Sequence, residues 1–206
     1  MSDLLSSSSD AILAQRGPYA LFDAWFAEAE AAEPNDANAM SLATTTAAGH
    51  PSVRIVLMKG CDSRGFAFYT NFESRKGLEL LENPQAAVNF HWKSLKRQVR
   101  AEGSISVVGD AEADTYFASR PRDSQIGAWA SAQSRPLDAR ATFDRAVAEV
   151  AARFEGGPVP RPPHWSGFRL TPSVMEFWQD RAFRLHDRVV FTAVGGDVWK
   201  VHRLYP

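Results

Sequence analysis

Arg184, His186 and Arg188 recur at every second position of Phe183-Arg-Leu-His-Asp-Arg188. In a strand such positions share a face, so three nitrogen-rich side chains would line about 13 Å of one surface. They repel one another unless an anion lies against them; the plainer reading is a charged edge strand facing water. A second grouping is Ser74-Arg-Lys76 at the start of a helical stretch. Cations in a first helical turn oppose the helix dipole, and an anion at that N-terminus reverses the sign, because dipole, free N–H groups and cations then all point at it. Tyr69 and Thr70, just upstream, offer hydroxyls, and phosphate is the anion such a site suits; a frayed helix start with solvated charges is the alternative. Arg54 and Lys59 bracket Ile55-Val-Leu-Met58, and their separation puts them on opposite faces of a regular strand, which implies different partners or a bulge. Tyr116 and Arg120 lie one helical turn apart, with Ser124 beyond the Pro121 break, which makes a weak second oxyanion site.

Other chemistries find no support. The chain has no GxGxxG, P-loop or GxSxG pattern. Its five histidines lack zinc-ligand spacing, and one cysteine, Cys61, in an expected turn, allows neither an internal disulfide nor a multi-thiolate site. No metal is expected. Asp187 points to the face opposite His186 and is no relay partner. Most tryptophans read as core or interface; Trp178, near the Arg184 face, is the best exception.

The elements that must position these residues follow from period. Residues 1–16 read as a polar tail, and Leu21, Phe22, Trp25, Phe26 and Ala29 mark an amphipathic helix from Pro18 to Ala32. Strands are expected at 40–46, 53–59, 66–71, 86–92 and 98–108, with a helix from Ser74, its N-cap, to Glu82. Helices follow at 110–119 and about 137–154, the latter stopped by Gly156-Gly157; then a proline-rich linker at 158–163; then strands at 167–170, 174–179, 183–193 and 198–204. Quick strand succession with a helix across one gap favours a mainly β, α+β architecture, a small antiparallel barrel with peripheral helices, drawing strands from both ends of the chain. A tail at 1–17 and one domain at 18–206 suit the 206 residues.

Charge sharpens this. Residues 1–50 hold one basic and seven acidic residues, net −6, leaving +5 for the remainder of a chain whose net charge is −1. The basic excess is mostly arginine, whose planar fork suits phosphate and carboxylate. A near-neutral balance without an aromatic-basic repeat argues against nucleic acid. No apolar run approaches a membrane span, and no signal or transit segment is evident, so cytoplasm is expected.

Taken together, Arg54-Ile-Val-Leu-Met-Lys59, Phe68-Tyr-Thr-Asn71, Ser74-Arg-Lys76, Arg97-Gln-Val99, Tyr116 to Trp129, Gln133-Ser134, Glu176-Phe-Trp-Gln179 and Arg184-Leu-His-Asp-Arg188 resemble the pyridoxine/pyridoxamine 5′-phosphate oxidases from about Asp36 to Pro206. The resemblance implies a split β-barrel, a homodimer, and two FMN sites at the subunit interface. It assigns Arg54, Ile55, Val56, Leu57, Met58, Lys59, Tyr69, Thr70, Arg75, Lys76, Gln98, Gln133, Ser134, Trp178 and Arg188 to FMN. Lys59, Tyr116, Arg120 and Ser124 would take the substrate phosphate, with Arg184, Leu185 and His186 against the substrate ring. Arg184 and His186 are the implied catalytic residues. The implied reaction moves a hydride from C4′ of pyridoxine or pyridoxamine 5′-phosphate to flavin N5, O2 reoxidises the flavin to give H2O2, and the amine releases ammonia. A split-barrel binder of flavin, haem or deazaflavin without this activity is the alternative. Residues 1–17, serine-rich and acidic, depart from the family's basic, tyrosine-containing N-terminal segment.

Overall fold

The computed structural model describes the backbone of residues 7–206 and the side chains of residues 17–206. The chain opens with helix α1 (Ser7–Ala32) and strands β1 (Ala39–Thr45), β2 (Pro51–Leu57), β3 (Gly60–Asp62) and β4 (Gly65–Asn71). Helix α2 (Arg75–Glu82) precedes β5 (Gln85–Trp92) and β6 (Arg97–Val107). Three helices follow, α3 (Asp110–Ser119), α4 (Arg122–Ala130) and α5 (Arg140–Arg153). The C-terminal part is β7 (Trp165–Gln179), a 3-10 turn Ala182–Arg184, β8 (Asp187–Gly195) and β9 (Val198–Arg203).

All nine strands join one antiparallel sheet, ordered β2-β1-β5-β6-β7-β4-β3, with β8 and β9 branching from β7. The branch gives the half-barrel its split. One edge of β7 pairs with β6 over Phe168–Gln179; the other meets β4 over Trp165–Leu170 and β8 over Val174–Gln179. The sequence pattern predicts two strands here, at 167–170 and 174–179. The strand instead runs through Pro172, at the switch of partners and beside a bulge against Glu102/Gly103, a position where a missing N–H is tolerated. Close approach fixes glycine at the crossing: a Cβ on Gly103 would lie 2.1 Å from the Thr171 carbonyl oxygen.

Inward side chains of the sheet, Met40, Leu42, Phe66, Phe68, Phe90, Trp92, Phe168 and Phe177, form the core. The amphipathic face of α1 seals it, with Phe22 edge-on to Phe66 at 4.9 Å and Trp25 edge-on to Phe177 at 5.3 Å. That helix begins earlier than Pro18. Helical backbone covers residues 7–16, where the sequence reads as a tail, and Gly17 (φ 64°) breaks it before Pro18 restarts the helix. Pro18 suits a first helical turn, since its missing N–H would have no partner there. The tail expected over residues 1–6 lies outside the described residues.

Cys61 sits not in a turn but in β3, paired with Phe66. Burial pushes its thiol up to about 12, helped by Asp23 and Asp62. Helix α4, read from sequence only as a break after Pro121, is the one helix not expected there; its Ser, Gly and single buried branched residue Ile126 leave little helical period.

Candidate functional site

A cleft of about 840 Å³ opens between β2, the end of β4, α2, α3 and α4. Its first group is built where β4 runs into α2. Ser74 caps the helix: its Oγ accepts from the Gly77 N–H at 3.3 Å and donates to the Asn71 carbonyl at 2.6 Å. The turn is so tight that a Cβ on Gly77 would meet the Phe72 carbonyl oxygen at 2.4 Å. Arg75 and Lys76 thereby sit in the first turn with no acidic residue beside them there. Lys76 Nζ lies 3.1 Å from Gln133 Oε1, which also accepts from Thr70 Oγ1 at 3.3 Å. Burial, with Arg54 nearby, lowers the Lys76 pKa to about 8. Among the described residues the lysine is thus a cation without a carboxylate in direct contact, at the positive end of a helix.

Arg54 enters the same cleft from β2, whose alternate residues turn inward. Its Nη1 donates to the Leu42 carbonyl at 3.2 Å and to Thr44 Oγ1 at 2.5 Å, and its Nη2 donates to Ser52 Oγ and to Glu79 at 3.3 Å. Glu79, on α2, also accepts from Ser52 at 2.6 Å, from Thr44 and from Arg75 Nε at 2.8 Å. Burial pushes this carboxyl up, but the four donors outweigh it and hold it at about 2. Sequence reasoning missed Glu79, Ser52 and Thr44; the Arg75/Glu79 spacing of one helical turn was the available signal.

A second group faces the first across the cleft. Tyr116 on α3 stacks on Tyr69 at 3.9 Å, and both lie nearly parallel to Trp165. The Arg120 guanidinium packs over Trp165 at 4.7 Å. Burial lowers its pKa, opposed by Tyr116, and its Nη1 is buried without a hydrogen-bond partner among the described residues. A buried unpaired donor of this kind is unusual in a folded protein. Ser124, in the first turn of α4, and Lys59 line the same cleft. Lys59 lies beyond the end of β2, so strand parity no longer separates it from Arg54, and both reach one space. Ile55, Val56, Leu57 and Ser134 also line it, whereas Met58 is buried at 6% exposure.

The remaining candidates lie elsewhere in the protomer. Gln98, Trp178 and Arg188 border a small cleft of about 280 Å³, and Trp178, Arg184 and His186 border another of about 610 Å³; neither shares a lining residue with the first. The expected alternation of Arg184, His186 and Arg188 along one strand fails. Phe183 and Arg184 take left-handed backbone, φ 59° and 63°, inside the 3-10 turn, and β8 starts only at Asp187. Two consecutive non-glycine residues at positive φ are costly, and the turn leaves Phe183 93% and Leu185 65% exposed. His186 packs on Trp178 at 4.6 Å with Nδ1 3.0 Å from Asp180. Arg188 is not free: Glu176, buried at 6% exposure, accepts from its Nε at 2.7 Å and its Nη2 at 3.1 Å, and from Arg100.

The donor set of the main cleft suits phosphate-bearing ligands: three cations and a helix N-terminus in one group, and an arginine with an unused buried donor in the other. Comparison with known proteins agrees with this chemistry. The family model described as pyridoxamine 5′-phosphate oxidase matches residues 26–154, and the model of the pyridoxine 5′-phosphate oxidase C-terminal dimerisation region matches residues 165–206. A Rhodospirillum rubrum protein named pyridoxine/pyridoxamine 5′-phosphate oxidase is 62% identical over 199 residues, covering 94% of this chain and 98% of its own. Among solved structures, PhzG from Burkholderia lata, in complex with tetrahydrophenazine-1-carboxylic acid, is 33% identical with a TM-score of 0.89, covering 99% of this chain and 98% of its own. A pyridoxamine 5′-phosphate oxidase-related FMN-binding protein from Nostoc punctiforme shares the fold at 14% identity and a TM-score of 0.74, over 92% and 98% of the two chains. With both family models matched in order and this identity held along nearly the whole length, the chain belongs to the pyridoxamine 5′-phosphate oxidase family.

Proposed function

We propose that the chain oxidises pyridoxine 5′-phosphate and pyridoxamine 5′-phosphate to pyridoxal 5′-phosphate with FMN, as a homodimer in the cytoplasm, O2 being the final acceptor. FMN, when bound, supplies the acceptor for the hydride leaving C4′ and the route of electrons to O2, giving H2O2. What carries the reading is the presence of two cationic groups in one cleft. Arg54, Arg75 and Lys76 hold one phosphate at the α2 N-terminus, with Tyr69, Thr70, Gln133 and Ser134 beside it. Lys59, Tyr116, Arg120 and Ser124 hold the other, and Arg120 Nη1 gains the partner it lacks. A cofactor and a substrate that each bear a phosphate need two such groups.

Arg184 and His186 border a different cleft of the protomer, so in this reading they reach the substrate ring from the partner subunit. Gln98, Trp178 and Arg188 complete the flavin site in the same way. The match of residues 165–206 to a dimerisation region supports that division, and Phe183 and Leu185 gain a reason for their exposure. Arg184 then orients the ring and favours proton loss at the C4′ substituent, with His186 beside it; the amine substrate yields an imine that water hydrolyses to release ammonia.

The test is the visible spectrum of the purified protein during anaerobic addition of pyridoxine 5′-phosphate. A flavin band that bleaches with substrate and returns with air is the expected result. A band that ignores the substrate would refute the oxidase reading, and no band after added FMN would refute the phosphate site.

A further inference from the structure

Glu79 is a charged residue that the proposed reaction does not use, yet it is 4% exposed and carries hydrogen bonds from three elements. Thr44 comes from β1, Ser52 and Arg54 from β2, and Arg75 from its own helix. Burying an isolated carboxylate is expensive, and hydrogen bonds to both oxygens with opposite charge adjacent offset that cost. Here Oε2 accepts from Thr44, Ser52 and Arg54, Oε1 accepts from Arg75, and the carboxyl stays ionised far below neutral pH. The consequence falls on its partners. Arg54 is held at four acceptors, Leu42, Thr44, Ser52 and Glu79, through both terminal nitrogens. Arg75 gives Glu79 only its Nε–H, which aims the guanidinium while its terminal fork remains available to the cleft it lines. The charges also match: Arg54, Arg75 and protonated Lys76 less Glu79 leave +2, against roughly −2 for a phosphomonoester at neutral pH.

We propose that Glu79 is a positioning residue of this cradle, fixing Arg54 and Arg75 in the arrangement that selects a flavin with a terminal phosphomonoester over the same flavin without one. The proposal rests on the reading of Arg54, Arg75 and Lys76 as the FMN phosphate site. It differs from a plain electrostatic effect in sign. Glu79 repels an anion, so deleting its charge without disturbing geometry would tighten FMN binding. Positioning requires the opposite.

The experiment measures FMN and riboflavin dissociation constants, by quenching of flavin fluorescence, for the full-length flavin-free chain and its Glu79→Gln variant. Loss of geometry at one or two charged hydrogen bonds corresponds to about ten- to hundredfold weaker FMN binding, with riboflavin changed less than about threefold. The preference for FMN then collapses. Tighter FMN binding would overturn the proposal in favour of simple counter-charge, and equal losses for both flavins would reduce Glu79 to a fold residue. Glu79→Asp keeps the charge and withdraws it by one methylene. It should also lose preference for FMN, and an unchanged preference would overturn the proposal even if Glu79→Gln does not fold. Lys76→Ala separates the premise: if it and the parent chain each bind FMN and riboflavin equally, the phosphate site itself is misplaced and the role of Glu79 falls with it.

Discussion

FMN affinity should fall as pH rises past 8, and one side chain should account for it. Lys76 has its pKa lowered to about 8 because its ammonium is partly desolvated and Arg54 lies close. A phosphate beside it restores the charged form towards or beyond the ordinary lysine value of 10.5. Binding between those limits therefore takes up a proton. At pH 7 roughly nine in ten free sites already carry the charge, and at pH 9 roughly one in ten do, so the apparent dissociation constant rises about tenfold between them. The other displaced groups lining or adjoining the cleft titrate outside this window. Glu79 is ionised down to about 2, Tyr69 and Tyr116 are raised above the ordinary tyrosine value by burial, and an arginine such as Arg120 stays charged. The phosphate, with a second pKa of about 6, is already about nine-tenths dianionic at pH 7, and completing that ionisation would strengthen binding rather than weaken it. The linkage has a second face with the opposite sign. In the flavin-free chain the unfolded state binds more protons between pH 8 and 10.5, so Lys76 makes that form more stable as pH rises. Fluorescence titration of FMN at several pH values, with riboflavin in parallel, reads the first effect; calorimetry in buffers of different ionisation heat counts the proton. Lys76→Arg should flatten the profile because arginine does not titrate there. A flat profile in the parent chain, or the same slope in Lys76→Arg, would refute the reasoning.

Three further outcomes test other parts of the site. Arg184→Ala should lower turnover far more than flavin content, measured as steady-state rate per bound flavin; equal losses would remove the role given to it. Arg120→Ala should raise KM for pyridoxine 5′-phosphate by about ten- to hundredfold, the worth of hydrogen bonds to a charged group, and leave the FMN dissociation constant unchanged; parallel changes in both would mean that the two anion groups are not distinct. Glu176→Gln should destabilise the chain by about 2 kcal/mol in urea unfolding at pH 7, less than for a fully buried pair because Arg100 and Arg188 are partly solvated. Burial raises the Glu176 pKa, but Arg188 and Arg100 outweigh it and the net shift is downward. That stabilisation is present above the ordinary carboxyl pKa and is lost as pH falls through the lowered one, so the difference between parent and variant should shrink in acid.

Local chemistry was legible in the sequence; long-range contact was not. Ser74 as an N-cap and Arg75 and Lys76 behind it follow from neighbours in the chain, and the structure has that cap. Tyr116 and Arg120 were paired by helical spacing, with Ser124 placed beyond the Pro121 break, and all three line one cleft, although α4 itself went unseen because Pro121 masks its start. The strand reading of Phe183 to Arg188 failed for a different reason. Alternation assumes regular backbone, and positive φ at Phe183 and Arg184 leaves no mark in residue type when neither is glycine or asparagine. Glu79 was missed because a glutamate one helical turn from an arginine on an amphipathic helix reads as a solvated surface pair. Only the sheet brings Thr44 and Ser52 beneath it.

Hydrogen-bond partners sort the arginines where composition cannot. Arg54 and Arg75 share Glu79, and Arg100 and Arg188 share Glu176; each pair is tied to one buried carboxylate. A guanidinium on a flexible stem loses side-chain entropy when it grips a ligand, and tying it in the free protein moves that loss into folding. Such arginines form a preset frame. Arg120 is built the other way: aromatic faces of Phe117 and Trp165 hold it, and among the described residues no carboxylate salt-bridges it and Nη1 is left bare. Its charge is therefore unmatched until an anion arrives. Under the proposed assignment, with the cofactor phosphate in the tied cradle and the substrate phosphate at Arg120, the contrast has a reason: a group that must release its ligand each turnover gains less from a rigid cage than from a strong, open charge.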